Sequence, residues 1–519
     1  MPFCRLCEIS SPQLSEVESK NPSSPYLSAV GSNISASRHY PSAIFAVSDA
    51  KLFDQENEMK KLFGSRIIQA EAGTASGSGA RRNRRRPINR KATLANPNDH
   101  WPPFANCGLS MEFMGKSNGN NPTTDKILVL FNVELEISNF QVTHSSNYVQ
   151  VQKNFLDFMA LHDPSLIGQL LQSNPYHVDS LLVMSEVLKQ SGDITSAAIL
   201  IERALYAFER TFHSMFNATL GTCHLSYFRA ENRSFYIALF RHIQYVSRKG
   251  CWRTAFELNR FLLSLDPSND PMGVLLMIDF FGLQSGQFKA LHGIYKTLKW
   301  RKRLDLLPNW SYSLALIYNE EGKREKCVAQ LEKAIIQFPN VVKLLIEKSS
   351  HFIAAKLKDH LYLTESDNKG LDLLQKIYVA RSSSLWKPAG LQGLISEALT
   401  NALAKVDSND SFVDTAKNFR QTEYASLPQN IYRHAMLADL GNEVNVSVPP
   451  EMISGRGGIH MHDPLPPISG AEPSVYDNYL EDREAAITEN RRLQGNPLYL
   501  LLESLIPNWT PEVNQQTTF

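Results

Sequence analysis

Several residues in this chain have types and spacings that could carry chemistry. Cys4 and Cys7 have the interval of half a zinc site, since a thiolate pair two residues apart can close on one tetrahedral ion. No second Cys-x-x-Cys or paired histidine follows to complete the ligand set. His460, His462 and Asp463 could ligate a metal from a loop, but in a Gly/Pro-rich break such residues are ordinarily solvated. Gly455-Arg-Gly-Gly458 lacks the strand, helix and lysine of a phosphate cradle, and reads as a loop. Cys223 and His224 are adjacent, which says nothing about a Cys/His pair in space. No nucleophile elbow, kinase signature, zincin helix or placed carboxylate pair occurs. The expectation is a chain that is not an enzyme, with no catalytic, metal or cofactor-binding residues.

Cations carry a different signal. Arg81, Arg82, Arg84, Arg85, Arg86, Arg90 and Lys91 place seven positive charges in eleven residues, behind the small, flexible stretch Ala72–Ala80. Such an undiluted segment suits a phosphate backbone, where each contact releases counterions, so these residues are the candidates for RNA or ribosome binding. A nuclear import signal and a merely solvated tail are the alternatives. A second cluster, Lys296, Lys299, Trp300, Arg301, Lys302 and Arg303, could stack a base on Trp300. It reads better as cations at a helix C-terminus, with Trp300 packed inward.

These groups need a scaffold. With 519 residues, 43% of them hydrophobic, the chain can bury a sizeable core, and its formal net charge of +1 supplies no global field toward nucleic acid or membrane. The first thirty residues have no apolar run behind a basic start, so no secretory signal is expected. No apolar run is long enough to span a bilayer, and six scattered cysteines do not form a disulfide framework. No membrane partner is expected. Residues 1–125 read as a mostly disordered region, with one short helix at Ala50–Phe63; residues 126–147 connect, with a strand possible at Ile127–Ile137.

From Tyr148 apolar residues recur every three or four positions, predicting helices through 148–440. Gly192, Gly250, Gly286 and Gly322 are spaced 58, 36 and 36 apart, the first interval enlarged by the insertion Arg210–Arg233. Five residues beyond each stand Ala197, Ala255, Leu291 and Cys327, and twelve beyond stand Ala204, Leu262, Leu298 and Ala334. Pro267 and Pro339 close two of the units. Glycine supplies the positive φ of a helix turn, small residues let helices cross closely, and proline stops the second helix. The fold expected is therefore all-α: a helical-hairpin solenoid of the tetratricopeptide kind, then further helices at Val341–Leu363, Leu371–Ser382 and Leu391–Val406. A Pro/Gly-rich loop region at 441–497 and a capping helix at Leu498–Ile506 complete the chain. In such arrays the first helices line the concave face, so Leu182, Phe240, Leu276, Phe280 and Tyr312 are candidates for an apolar peptide groove, unless the chain's own N-terminal region covers it.

Four blocks go beyond repeat character: Asn174-Pro-Tyr-His-Val-Asp-Ser-Leu-Leu182, Glu231-Asn-Arg-Ser-Phe-Tyr-Ile-Ala-Leu239, Asp463-Pro-Leu-Pro-Pro467 and Leu505-Ile-Pro-Asn-Trp-Thr510. With Gly108-Leu-Ser-Met111 after the basic run, they resemble, in order, the family of ribosome quality control complex subunit 1, also called transcription factor 25 or nuclear localized protein 1. The resemblance implies a scaffold on large ribosomal subunits that still carry a stalled nascent chain. It would work with a listerin-type ubiquitin ligase, ubiquitin and an AAA ATPase segregase toward proteasomal degradation. Location would be cytoplasmic, with the nucleus as a second place, and a nuclear transcriptional repressor or a generic peptide-binding adaptor is the alternative function. Residues 1–50 lack the acidic stretch and Lys-rich tract with which that family usually begins, leaving Arg81–Lys91 as the basic arm.

Overall fold

The computed structural model describes residues 44–64, 93–97, 100–104, 106–117, 137–161, 163–349, 360–364, 368–441, 444–453, 463–467, 471–479 and 509–511. The Cys4/Cys7 pair, the basic run Arg81–Lys91, His460, His462, the Gly455–Gly458 loop and Leu498–Ile506 lie outside them. The described chain is predominantly helical and divides into two compact units.

One unit gathers Ala46–Ser117, Ile137–Val274 and Tyr432–Phe519. Its helices are α1 (Gln55–Phe63), α2 (Ser146–Ala160), α3 (Pro164–Ser173), α4 (Val178–Gln190), α5 (Ile194–Glu209), α6 (Ala230–Arg248) and α7 (Trp252–Leu265). Local chemistry sets their starts. Ser145 accepts from Tyr148 N–H, and Asp163 stands before Pro164, whose fixed φ suits a first helical turn. Helix α7 has no capping side chain at Cys251. Glu58 on α1 fills that role from a distance, accepting from Arg253 and Thr254 N–H at 2.9 and 2.7 Å. Phe53 anchors the same segment against Phe261, ring centroids 5.7 Å apart. The expected helix at Ala50–Phe63 thus forms as a 3-10 turn, Ala50–Phe53, followed by α1.

A small sheet joins these helices. Strand β1 (Leu109–Ser117) pairs antiparallel with β2 (Ile137–His144), from Leu109↔His144 to Ser117↔Ile137, and β2 pairs parallel with β3 (Cys223–Leu225). Leu109 and Met111 are buried while Ser110 and Glu112 are exposed, the two-residue alternation of a half-buried strand. This pattern is too short to stand out among the surrounding Asn, Gly and Ser, so sequence reading missed β1. Of the strand expected at Ile127–Ile137, only Ile137 is described, and it opens β2. Strand β4 (Val446–Val448) pairs parallel with β5 (Trp509–Pro511).

The other unit is built on Leu275–Ile431 and is helical. It contains α8 (Ile278–Gln284), α9 (Phe288–Lys302), α10 (Pro308–Glu320), α11 (Arg324–Gln337), α12 (Pro339–Ser349), α13 (Lys369–Ser382), α14 (Ala389–Asp407) and α15 (Ser411–Thr422). Helix α16 (Gln429–Leu437) begins in this unit and ends in the other.

The spaced glycines make one motif four times. Gly192, Gly250, Gly286 and Gly322 have φ of 90°, 76°, 68° and 72°. In each case the next residue donates its N–H five residues back: Asp193 to Leu188 O, Cys251 to Val246 O, Gln287 to Gly282 O and Lys323 to Tyr318 O. This is the Schellman ending, which satisfies carbonyls that the helix leaves open. That next residue then becomes the cap of the second helix, its carbonyl accepting from Ala197, Ala255, Leu291 and Cys327 N–H. These four residues, and the four found twelve beyond the glycines, are all buried at 2% exposure or less.

Leu291 is the exception to small size at its position, and the fold compensates opposite it. A Cβ built on Gly282 would lie 2.5 Å from Leu291 Cγ, so the missing side chain is what admits the leucine. Gly250, by contrast, has open space around it, and only its left-handed backbone needs glycine. Gly282→Ala should therefore destabilise by about 1–3 kcal/mol through overpacking, and Leu291→Ala should recover part of that loss in a double-mutant cycle followed by urea unfolding. Strictly additive effects would count against this packing. Gly250→Ala should cost about 1 kcal/mol or somewhat more from backbone strain, with no rescue by substitution of a neighbour.

Candidate functional site

Helix α6 collects the polar residues of the signature blocks. It is buried almost throughout its length, Ala230–Val246 including Glu231, Asn232, Arg233, Ser234, Arg241 and His242. Burying so many polar groups is unfavourable unless each finds a partner. The partners come from remote segments.

Asn232 accepts from Val142 N–H on β2 at 2.8 Å and donates to Ser226 O at 2.7 Å. Glu231 accepts from Ser474 Oγ and Val475 N–H. Arg233 donates to the Tyr227 and Phe228 carbonyls at 3.2 and 3.1 Å and lies 3.9 Å from Asp463. Asp463 is fully buried and accepts from Arg433 Nε at 3.2 Å, Tyr227 Oη–H at 2.9 Å and Leu465 N–H at 3.1 Å. Arg433 also donates to Pro271 O at 2.7 Å and covers the Tyr227 ring, 4.7 Å from its centroid. The aspartate expected to be a solvated loop residue is thus the centre of a buried ion-pair clamp. The block Asp463–Pro467 marked this aspartate but not its duty, because its partners stand at positions 227, 233 and 433.

A second cluster joins α2, α4 and α6. Asp179 accepts from Gln152 Nε2 at 2.5 Å and from Ser234 Oγ. Since the Gln152 amide nitrogen faces Asp179, its oxygen accepts from His177 Nε2–H at 2.7 Å. His177 Nδ1 then accepts from Ser180, whose hydroxyl lies 2.7 Å away. Burial pushes the Asp179 carboxyl up to about 6, partly opposed by its two donors. Burial likewise pushes His177, His144 and His242 down to about 3. A third cluster ties α4 and α6 to Asp439: Glu186 pairs with Arg241 at 3.0 Å and Lys189 at 2.7 Å, and Asp439 with Lys189 at 2.8 Å and Arg248 at 2.9 Å.

The signature glycine of Gly108-Leu-Ser-Met111 has a similar structural duty. Its carbonyl accepts from Ser145 N–H at 2.8 Å, its φ is +87°, and a Cβ there would fall 2.3 Å from Ser145 Oγ.

The residues expected to line an open groove are core. Leu182, Phe240, Leu276, Phe280 and Tyr312 are 2%, 0%, 6%, 8% and 0% exposed. Phe240 meets the His434 ring edge-on, centroids 5.5 Å apart. In the helical unit, Tyr312 packs near Tyr378 and Trp386, with Tyr378 on α13, and donates to Phe338 O at 2.9 Å. Asp279 accepts from Asn309 and Ser313 at 2.9 and 2.6 Å, while Arg381 on α13 donates to Leu276 O at 2.6 Å. A helical stripe marks an apolar face, not what covers it, and here later parts of the same chain cover it.

Neither cysteine–histidine chemistry nor a metal centre is built from the described side chains. Cys223 Sγ lies against Asn217, its thiol pKa raised by burial, and His224 Nδ1 contacts Asn139 Oδ1 at 3.1 Å. Among the described residues no group of three His, Cys, Asp or Glu could hold a metal ion, and no helix is long and apolar enough to cross a membrane. At the second cationic cluster α9 ends at Lys302, with Arg303 as its cap, as the sequence suggested; the Trp300 and Arg301 side chains lie outside the description.

Removing one member of the Asp463 clamp strands buried charge, which costs about 3–5 kcal/mol. Asp463→Ala should accordingly lower the denaturation midpoint much more than Glu56→Ala, whose exposed pair with Lys60 is a surface contact. Similar midpoints for the two variants would refute the clamp. The buried titrating groups also set a pH dependence. His144, His177 and His242 have folded pKa values below the unfolded 6.5, so their stabilisation is complete above pH 6.5 and is lost as pH falls toward 3. At pH 5 each removes about 2 kcal/mol. Asp179, with its pKa raised, works oppositely and returns about 1 kcal/mol between pH 7 and 5. The histidines prevail, so thermal melts should show a clear loss of stability from pH 7 to pH 5.

Comparison with known proteins agrees with the signature blocks. The family described as transcriptional repressor TCF25 matches residues 140–467, a span that includes α2–α16 and the Asp463 clamp. The human ribosome quality control complex subunit TCF25 is 31% identical over 473 residues, covering 88% of this chain and 65% of that protein. A probable transcription factor of Ampulloclitocybe clavipes, claV, is 31% identical over 445 residues, 80% of this chain and 56% of its own length. Ribosome quality control complex subunit 1 of Schizosaccharomyces pombe is 26% identical over 424 residues, 80% of this chain and 57% of its own. The chain therefore spans a little under two thirds of the human relative's length. No solved structure matches. With most of its length matched, and the buried clamps lying inside the matched span, the chain belongs to the TCF25 family, whose curated members include ribosome quality control complex subunits.

Proposed function

We propose that this protein is a non-catalytic scaffold of ribosome-associated quality control. It would bind large ribosomal subunits carrying stalled chains and assist their ubiquitination and extraction for degradation. The observation that carries this reading is the 88% coverage of the chain by similarity to a human protein named as a subunit of that complex. The architecture is compatible: its polar clusters hold segments together, which is what a scaffold needs and an acid–base site does not. The partners in this reading are the large subunit and its RNA, a listerin-type ubiquitin ligase, ubiquitin and an AAA ATPase segregase. The mechanism is positional, since a scaffold that holds two partners raises their effective concentration.

Within the same proposal, the hairpins α4–α5 and α6–α7 of one unit, and α8–α9 and α10–α11 of the other, are tetratricopeptide-like pairs, a reading supported by the same glycine turn in each and the buried residues five and twelve positions beyond it. The domain plan in this reading has residues 1–125 as an N-terminal region with its basic arm at 81–91 and α1 and β1 as packed pieces, 126–147 as a connection, 148–440 as the repeat domain, 441–497 as a loop region and 498–519 as a capping helix and tail. Cytoplasmic residence is the primary location in this reading. The name of the matched family also supports a second reading, nuclear transcriptional repression.

Sucrose-gradient sedimentation after induced stalling separates the two. Co-migration with large subunits, abolished when Arg81, Arg82, Arg84, Arg85 and Arg86 are replaced by Ala, supports the quality-control reading and its basic arm. Retention on chromatin with no ribosomal co-migration supports the repressor and overturns the scaffold.

A further inference from the structure

Helix α9 carries a line of cations that the clamps do not use. Between Asp279 and Asp305 the chain has no acid but six cations: Lys289, Lys296, Lys299, Arg301, Lys302 and Arg303. Successive helical residues turn by about 100°, so Lys289, His292, Lys296, Lys299 and Arg303 share an arc of roughly 80°. The opposite side is the packed one, with Leu291, Ile294 and Leu298 at 0%, 1% and 1% exposure. Lys289 and Lys296 are exposed. Lys299 lies over the Tyr295 ring, 5.6 Å from its centroid, and Arg303 over Phe419 at 6.0 Å. A ring face attracts a cation without removing its charge.

Acids do stand nearby, but they are engaged or few. Glu321 pairs with His292 at 3.0 Å and Lys323 at 2.5 Å, and Asp305, just past the helix end, is near enough to Tyr295 to help burial raise its hydroxyl pKa. Arg303 itself has φ +45°, a conformation a non-glycine residue adopts at some cost.

We propose that this outward face of α9 is a contact for the phosphate backbone of RNA. At 1.5 Å per residue the line from Lys289 to Arg303 is about 21 Å long. A nucleic-acid duplex presents a charge roughly every 1.7 Å of axis, so a straight row of cations keeps phosphates within reach along its whole length. Lysines act as mobile point charges, suited to backbone contact without base reading. A lipid surface would call for exposed apolar groups beside the cations, and none of the exposed large hydrophobic side chains among the described residues lies on α9. The inference deepens the scaffold reading by placing a nucleic-acid contact on it, and it rests on that reading only for choosing RNA among polyanions.

The test uses the full chain and a purified 20-base-pair RNA duplex, followed by fluorescence anisotropy from low to moderate salt. Lys289→Ala/Lys296→Ala should weaken binding roughly tenfold and reduce the slope of log affinity against log salt by about two, one for each lysine that no longer meets a phosphate. The charge-matched control Lys376→Ala/Lys405→Ala, whose lysines pair with Asp372 and Glu332, should bind like the parent. Melting curves should be unchanged for Lys289→Ala/Lys296→Ala, and photo-crosslinked RNA should map to 289–303. Unchanged affinity, equal weakening in the control, or stronger binding to polyglutamate than to RNA would each overturn the assignment. A negative result with purified RNA alongside normal ribosomal co-migration would remove this surface and leave the scaffold standing.

Discussion

The fully buried carboxylate of Asp463 is the constraint on which much of one unit depends. A charge cannot sit in a protein interior unpaired, and its partners there come from two places in the chain, Arg433 from one and Tyr227 with Arg233 from the other. Satisfying them brings the segment after α16 onto α6, and Glu231 and Asp439 repeat the operation with other carboxylates. Ion pairs of this kind add little net energy compared with apolar packing. Their effect is to make other arrangements expensive, because any slip strands several charges at once.

This gives a physical account of the signature blocks. Asn174–Leu182 contains His177 and Asp179, Glu231–Leu239 contains Asn232, Arg233 and Ser234, and Asp463–Pro467 opens on the clamp itself. Their unusual composition reflects buried polar groups that must meet particular partners. It also accounts for the closed groove. Side chains such as Phe240 and Tyr312 are apolar because other parts of the chain lie on them, which leaves charged outer faces such as that of α9 as the accessible surfaces.

The hairpins follow a different logic, local and repeated. Each glycine supplies a positive φ, two hydrogen bonds close the helix end, and the next residue starts the following helix. Small residues at the fifth position allow close crossing, and where Leu291 breaks that rule, Gly282 across from it restores the space.

Read alone, the residues determined what depends on near neighbours in the chain. The helical character from 148 onward, the hairpin turns, the buried positions after each glycine, the inserted segment before α6 and the helices at Leu371–Ser382 and Leu391–Val406 were legible, while of the helix expected at Val341–Leu363 residues 350–359 lie outside the described residues. Backbone conformation and helix capping act over a few residues, so they leave a periodic trace. The signature blocks also marked the family, although not what those residues do. Tertiary structure alone decided the rest: that Asp463 is clamped rather than solvated, that Glu58 caps a helix nearly two hundred residues away, that β1 pairs with β2, and that the expected groove is filled. Those outcomes depend on which distant segment meets a given face, and pairing energies between remote residues leave no periodic mark on either partner.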